Sequence, residues 1–139
     1  MKSSRVDLAW TIAVAALLCG PAQAQAQTQV AVVMAPGSSP LSKEQVANLY
    51  LGRLAELHLL DLPEGNPTRE SFYKRATARD AAQVKAAWSR IVFSGWGMPP
   101  REVPDAAAVK RAVAADPKSV GYIEKLAVDG SVKVVLLLE

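Results

Sequence analysis

Asn66, Thr68 and Arg69 are the residues best placed to do chemistry, because they stand at the start of a predicted helix. Asn66 is a favoured N-cap residue, and Pro67 suits the first helical position, where the missing N–H costs nothing. The free N–H groups and the positive dipole end of such a helix attract anions. Alternatively, the Asn66 side chain caps the helix itself, and Pro67 has already removed one donor. The segment predicts either an oxyanion-binding site or a helix whose N-terminus is capped by its own Asn66 side chain.

Arg69 has two interpretations of its own. It could meet an anion at the helix start, or it could lie on the surface and pair with Glu64, Glu70 or Tyr73. A surface arginine in such a pair contributes little to stability.

Trp96 and Met98 stand between glycines and prolines in the segment 95–100. They could line a pocket or a partner surface. Alternatively, the Trp96 indole packs back over the end of the preceding helix, and we favour this because a single aromatic residue does not make a patch.

The rest of the sequence lacks the residue patterns of catalysis and metal binding. His58 is the only histidine, and its position in an apparent strand favours a hydrogen-bonded structural residue over a base or a ligand. The chain has no phosphate-loop lysine motif, no dinucleotide fingerprint and no Cys/His metal spacing. It also has no serine in a nucleophile-elbow pattern. We therefore expect no enzyme activity, no metal and no cofactor.

Residues 1–26 have the pattern of a secretory signal peptide. Lys2 and Arg5 precede the apolar run 8–18, and Ala22-Gln23-Ala24 is a small-x-small cleavage site, as is the following 24–26 segment. The run is too short for a membrane span. Cys19, the only cysteine, follows Leu18 rather than a small residue, so lipidation is the lesser alternative. We expect a periplasmic protein without a stable membrane anchor, with residues 27–139 forming a single domain.

The charge balance excludes one class of partner. Without residues 1–26 the chain has 14 basic and 12 acidic residues, a net charge of +2. The two signs alternate, with no basic run and no interleaved aromatic residues, so nucleic acid is not an expected partner.

Apolar spacing and capping residues divide the domain into eight elements. Strands are predicted at 30–34, 57–62, 119–123 and 132–138. Helices are predicted from the caps Ser42, Asn66, Asp80 and Asp105, with the second spanning 67–77. The third helix is expected to bury one stripe of residues: Ala81, Val84, Ala87, Trp88, Ile91 and Val92. Apolar strands that alternate with amphipathic helices indicate an α/β layer structure with a mostly parallel sheet.

Three segments resemble phosphate ABC-transporter substrate-binding proteins, which are type II periplasmic binding proteins. LSKEQVANLYLGR (41–53) is similar to the family's L-S/T-x-x-Q-V/I-x-x-I/L-F/Y-x-G-K/R segment. GNPTRESF (65–72) resembles its G-S-G-T-R-E-x-F helix start, and KSVGYI (118–123) resembles its P-G-A/S-I-G-Y-V strand. The resemblance implies one three-layer α/β/α lobe of a clamp that holds phosphate between two lobes.

The departures from the family pattern concern the ligand site. The family's arginine before Ser-Gly-Thr is missing from the segment 61–63, and Ser-Gly-Thr has become Asn66-Pro67-Thr68. Asp61 adds negative charge near the helix start, which would oppose an oxyanion. Of the family's site, only Thr68 and the neighbouring Arg69 are retained.

Two functions follow as expectations. The first is an exported, single-lobe solute-binding-protein-like domain that binds phosphate or another oxyanion weakly at Asn66, Thr68 and Arg69. Alternatively, an ABC permease, a second lobe or a homodimer would complete the site. The second is a periplasmic interaction or sensor module that has lost its ligand, with Trp96 and Met98 in the contact surface.

Overall fold

A computed structural model describes residues 29–139 of the chain, so the predicted signal peptide lies outside the described residues. The strands are β1 (Val30–Met34), β2 (His58–Asp61), β3 (Arg101–Glu102), β4 (Ser119–Glu124) and β5 (Lys133–Leu138). The helices are α1 (Lys43–Tyr50), α2 (Pro67–Thr77), α3 (Ala81–Phe93) and α4 (Ala106–Ala115). A short 3-10 helix, Lys125–Ala127, follows β4.

The five strands form one mixed sheet in the order β3-β2-β4-β1-β5. β2 is parallel to β3 and to β4, whereas β1 is antiparallel to both β4 and β5. Four strands therefore run in one direction and β1 runs against them. This confirms the predicted mostly parallel, mixed α/β sheet, and it brings the carboxyl ends of β2, β3 and β4 to the same edge.

Helices cover both faces of the sheet, which gives three layers. On one face α4 packs so closely that a Cβ added to Gly121 of β4 would lie 2.6 Å from Val109 Cγ1. On the other face Phe72 of α2 stacks on Tyr122 of β4, with ring centroids 3.9 Å apart. α1 and α3 flank α2 on this second face, where the Trp88 indole N–H donates to the carbonyl of Tyr50 at 2.7 Å.

Local sequence accounts for most of the element boundaries. All five residues of β1 are buried, as expected for an apolar strand covered on both faces. α1 begins with the predicted capping box, in which Ser42 and Gln45 exchange hydrogen bonds of 2.8 and 3.1 Å. Asp80 caps α3 and Asp105 caps α4. The helix starts were therefore predictable from their caps.

Two features of the elements differ from the sequence expectation. β3 is absent from the predicted order, because two exposed residues, Arg101 and Glu102, carry no hydrophobic pattern and become a strand only by pairing with β2. The predicted buried stripe of α3 is also too long. Ala81, Val84 and Trp88 are buried, but Val92 is exposed because α3 packs mainly against α2 rather than on the sheet.

Candidate functional site

The start of α2 is capped by its own side chain. Gly65, with φ +82°, turns the chain before the helix, a conformation that favours glycine. The side-chain oxygen of Asn66 then accepts from the N–H of Thr68 at 2.9 Å and from the N–H of Arg69 at 3.4 Å. Pro67 occupies the first helical position. Of the two sequence interpretations, the self-capped helix is therefore the observed one.

Thr68 is buried beside a carboxylate. Its residue is only 9% exposed, and its hydroxyl donates to Oε1 of Glu124, the last residue of β4, at 3.1 Å. Pro67, Thr68, Ser71 and Glu124 line a cleft of about 40 Å³ here, far smaller than the roughly 300–1,000 Å³ of drug-sized ligand pockets. An oxyanion at this point would meet the negative charge of Glu124 and would have to replace the bonds already made.

Arg69 is buried rather than on the surface, so the interpretation as a surface arginine is wrong. The residue is 8% exposed, and its Nε lies 3.4 Å from Oδ1 of Asp61. The guanidinium carbon lies 5.6 Å from the centroid of the Tyr73 ring. Arg69 thus pairs with Asp61 at the end of β2.

Asp61 is the centre of a buried polar network that the sequence did not reveal. Tyr73 donates its hydroxyl proton to Oδ2 at 2.6 Å, and the hydroxyl of Tyr122 donates to Oδ1. The backbone N–H of Leu62 also donates to Oδ1, at 2.9 Å. Burial and then the charge of Asp61 raise the pKa of both tyrosines far above the ordinary value, so both remain protonated donors.

The network changes the interpretation of the Asp61 charge. The sequence assigns it a repulsive charge near the helix start, but the structure surrounds that charge with Arg69 and three other donors. No local pattern joins residues 61, 69, 73 and 122. The only sequence signal is a charged residue at the end of an apolar strand, where burial requires a partner.

Trp96 and Met98 lie on the surface of the protein. Trp96 is 86% exposed and Met98 is 82% exposed, so the expectation that the indole packs back over α3 is wrong. Phe93, at the end of α3, is 97% exposed. We call Phe93, Trp96 and Met98 the α3-end patch. A groove of about 330 Å³ adjoins it and is lined partly by Trp96, Met98, Ile91 and Arg101.

Residues 29–139 contain no group of three His, Cys, Asp or Glu side chains that could hold a metal ion. Within the same range, no helix has the length and apolar character needed to cross a membrane. His58, expected to be a hydrogen-bonded structural residue, places its Nδ1 2.7 Å from Oδ2 of Asp116.

The fold is similar to solved structures of binding proteins. One is described as a phosphate ABC transporter substrate-binding protein with bound phosphate from Clostridium perfringens; the TM-score is 0.62 and the identity 17%, over 76% of this chain and 43% of that one. Another is an ABC-type phosphate transport receptor from Vibrio cholerae, with a TM-score of 0.60 and 19% identity over 78% of this chain and 49% of that one.

The chain therefore spans less than half the length of either protein. No protein-family model and no curated protein matches the sequence. At this level of identity the likeness establishes the α/β fold of these binding proteins, as the three sequence segments imply.

Proposed function

We propose that this chain is an exported, single-lobe solute-binding-protein-like domain related to phosphate ABC transporter substrate-binding proteins. In this proposal it is not an enzyme, and it binds phosphate or another oxyanion weakly at the start of α2. The observation that supports it is the likeness to two phosphate-transport structures over about three quarters of the chain. Residues 1–26 would direct export to the periplasm and would be removed there.

The geometry of the helix start explains why binding would be weak. An oxyanion must compete with the Asn66 side chain for the N–H groups of Thr68 and Arg69. It must also approach the carboxylate of Glu124. We therefore expect a dissociation constant on the order of 1 mM or weaker, equivalent to about −4 kcal/mol.

Another surface is needed to exclude water from such a site. High-affinity binding of a small anion depends on several converging donors in an enclosed pocket. We propose that the facing surface comes from a second lobe, a second copy of this chain or an ABC permease. The isolated domain would then be only one half of a clamp.

Thermal unfolding in phosphate and in sulfate tests the oxyanion proposal. The wild-type midpoint should rise with either anion, compared with chloride at equal ionic strength, because a ligand that binds only the folded state stabilises it by mass action. Glu124→Gln should increase this rise, because it removes the opposing charge. Glu56→Gln changes the net charge equally at an exposed site in the loop before β2 and serves as the matched control.

Asn66→Ala provides a second, independent readout. The variant should lose about 1 kcal/mol of stability with its N-cap, yet phosphate should raise its midpoint more than that of wild type, because two N–H groups become available. If phosphate and sulfate leave the midpoints of wild type, Glu124→Gln and Asn66→Ala unchanged, the oxyanion proposal is wrong.

The α3-end patch favours a second candidate, a periplasmic interaction or sensor module that has lost its ligand. Three large apolar residues almost fully in water are unusual for a monomer and typical of a contact surface. Light scattering should then detect an assembly that a Trp96→Ser/Met98→Ser variant abolishes. Leu126→Ser, at an equally exposed leucine in the 3-10 helix, is the control. An unchanged mass for the double variant would contradict this candidate.

A further inference from the structure

A cavity lies beside α2 and α3 at the carboxyl ends of β2 and β3. Its volume is about 190 Å³, and its lining includes Asp61, Arg69, Lys85, Trp88, Pro100 and Glu102. In open α/β sheets the carboxyl ends of the strands are the usual place for a ligand. The volume is smaller than that of a drug-sized pocket, so it suits a small metabolite.

The base of the cavity is a buried ion pair with spare donor capacity. Arg69 and Asp61 are each more than nine-tenths buried and lie 3.4 Å apart from Nε to Oδ1. The Arg69 Nε makes no hydrogen bond to any atom of residues 29–139. This Nε is shielded from solvent and faces Asp61, so a ligand would meet the rest of the guanidinium group of Arg69, which lines the cavity.

The rim adds one exposed charge of each sign. Lys85 extends from α3, and its Nζ lies 2.5 Å from Oε1 of Glu64, with both side chains more than half exposed. Glu102 ends β3 and is exposed. Three neighbouring parallel strands thus end in acids, Glu102, Asp61 and Glu124. Asp61 and Glu124 accept hydrogen bonds, but Glu102 forms no ion pair or side-chain hydrogen bond with residues 29–139.

This distribution of charge selects the class of ligand. A simple anion would meet Asp61 and Glu102, and a simple cation would meet Arg69 and Lys85. A molecule that carries both charges can place its carboxylate toward Arg69 and Lys85 and its ammonium group toward Glu102. Trp88, whose indole N–H donates to the Tyr50 carbonyl, adds an aromatic side chain to the lining.

We propose that this cavity binds a small zwitterion of the free α-amino-acid type. The site is separate from the start of α2, because it uses the guanidinium group of Arg69 and not the backbone N–H groups capped by Asn66. It therefore goes beyond the oxyanion function and does not depend on it.

Calorimetric titration with L-alanine tests the proposal, with acetate and methylammonium as probes of each charge alone. L-alanine should bind at least tenfold more tightly than either, because only it satisfies both halves of the cavity. Equal or weaker binding of L-alanine, or no heat of binding at all, would overturn the proposal.

Variants of the exposed rim locate the site without disturbing the buried pair. Glu102→Gln should weaken L-alanine binding by about ten- to a hundredfold, the usual effect of losing a charge-assisted hydrogen bond. Acetate binding should not weaken, and Glu56→Gln, at a residue that does not line the cavity, should leave L-alanine binding unchanged. Unaltered L-alanine affinity in Glu102→Gln would show that the ligand lies elsewhere.

The experiments distinguish failure of the oxyanion proposal from failure of the zwitterion proposal. If L-alanine does not bind, the response of Asn66→Ala to phosphate is still expected. If phosphate has no effect, L-alanine binding and its loss in Glu102→Gln are still expected. Phosphate that displaces L-alanine from the wild-type protein would show a single shared anion site and would contradict the separate zwitterion site.

Discussion

At the scale of single residues, the pair formed by Asp61 and Arg69 is the most consequential contact of the described residues. Both charges are removed from water, so each depends on the other for compensation. Tyr73 and Tyr122 add two neutral donors to the same carboxylate. Removing one charge leaves the other buried and uncompensated, whereas removing both avoids that penalty.

We therefore expect Asp61→Asn to lower the free energy of unfolding by about 3–5 kcal/mol. Denaturant titration measures the loss, and Glu56→Gln, which removes an exposed carboxylate, is the control. An Asp61→Asn/Arg69→Met double variant should recover part of the loss, because it leaves no unpaired charge. A double variant that loses as much as the two single changes added together would contradict the coupling of the pair.

His58 and Asp116 give a prediction for pH dependence. The hydrogen bond from His58, followed by the one from the Lys118 backbone N–H, lowers the pKa of the Asp116 carboxyl group. A carboxyl whose pKa is lower in the folded state stabilises the fold above its unfolded pKa of about 3.9. This contribution disappears as the pH falls through the folded pKa.

An NMR titration of the Asp116 carboxyl carbon should therefore have its midpoint below about 3.9. His58→Ala should move that midpoint upward. The carboxyl of Asp129, whose pKa is lowered by hydrogen bonds from Ser131 and Lys110, should titrate unchanged in the same variant. A midpoint of Asp116 that does not respond to His58→Ala would show that the contact is absent in solution.

At the scale of elements, the packing of α4 on β4 depends on a missing side chain. A Cβ at Gly121 would lie 2.6 Å from Val109 Cγ1, which is closer than two carbon atoms can pack. The backbone of β4 would have to move away from α4, or Val109 would have to leave its position. Overpacking of this kind typically costs about 1–3 kcal/mol.

We expect Gly121→Ala to lower the free energy of unfolding by that amount in a denaturant titration. Gly130→Ala is the matched control, because nothing lies within 4 Å of a Cβ added there. Gly121→Ala combined with Val109→Ala should recover part of the loss, since the second change makes room for the first. Equal stability of Gly121→Ala and Gly130→Ala would contradict the close approach of α4.

Elements with strong local signals were predictable from the sequence. Caps such as Asn66 and Asp80 mark helix starts because they bond to residues only two or three positions away. α2 was predicted with its observed limits, and the apolar runs of β1 and β5 were predicted to within a residue. β3 was missed because two exposed residues have no pattern of their own.

The site was less predictable than the fold, because its contacts join residues distant in sequence. The cap at Asn66 was foreseen as one alternative, but the bond from Thr68 to Glu124 crosses from α2 to β4. Likewise the pairing of Arg69 with Asp61 requires the start of α2 to lie beside the end of β2. Sequence periodicity indicates which face of a helix is buried. It does not identify the polar group of another element that the buried side chain contacts.

At the scale of the whole molecule, the sheet ties the ends of the domain together. β1 pairs with β4 and β5, so that Val30 stands opposite both Glu124 and Leu138. The first strand is thus enclosed by the last two, and neither α1 nor α2 can complete its packing without them. Such an arrangement predicts that residues 29–139 unfold as one cooperative unit.

We expect a chain of residues 27–139 to unfold in a single calorimetric transition, with equal calorimetric and van't Hoff enthalpies. Its heat-capacity change should be about 1.5 kcal/mol/K, from the usual value per residue. A chain that stops after residue 131 lacks β5 and leaves one edge of β1 unpaired, so it should show no cooperative transition. Removal of Glu139 alone should change nothing. Two resolved transitions, or a cooperative melt without β5, would mean that the enclosure of β1 does not hold the domain together.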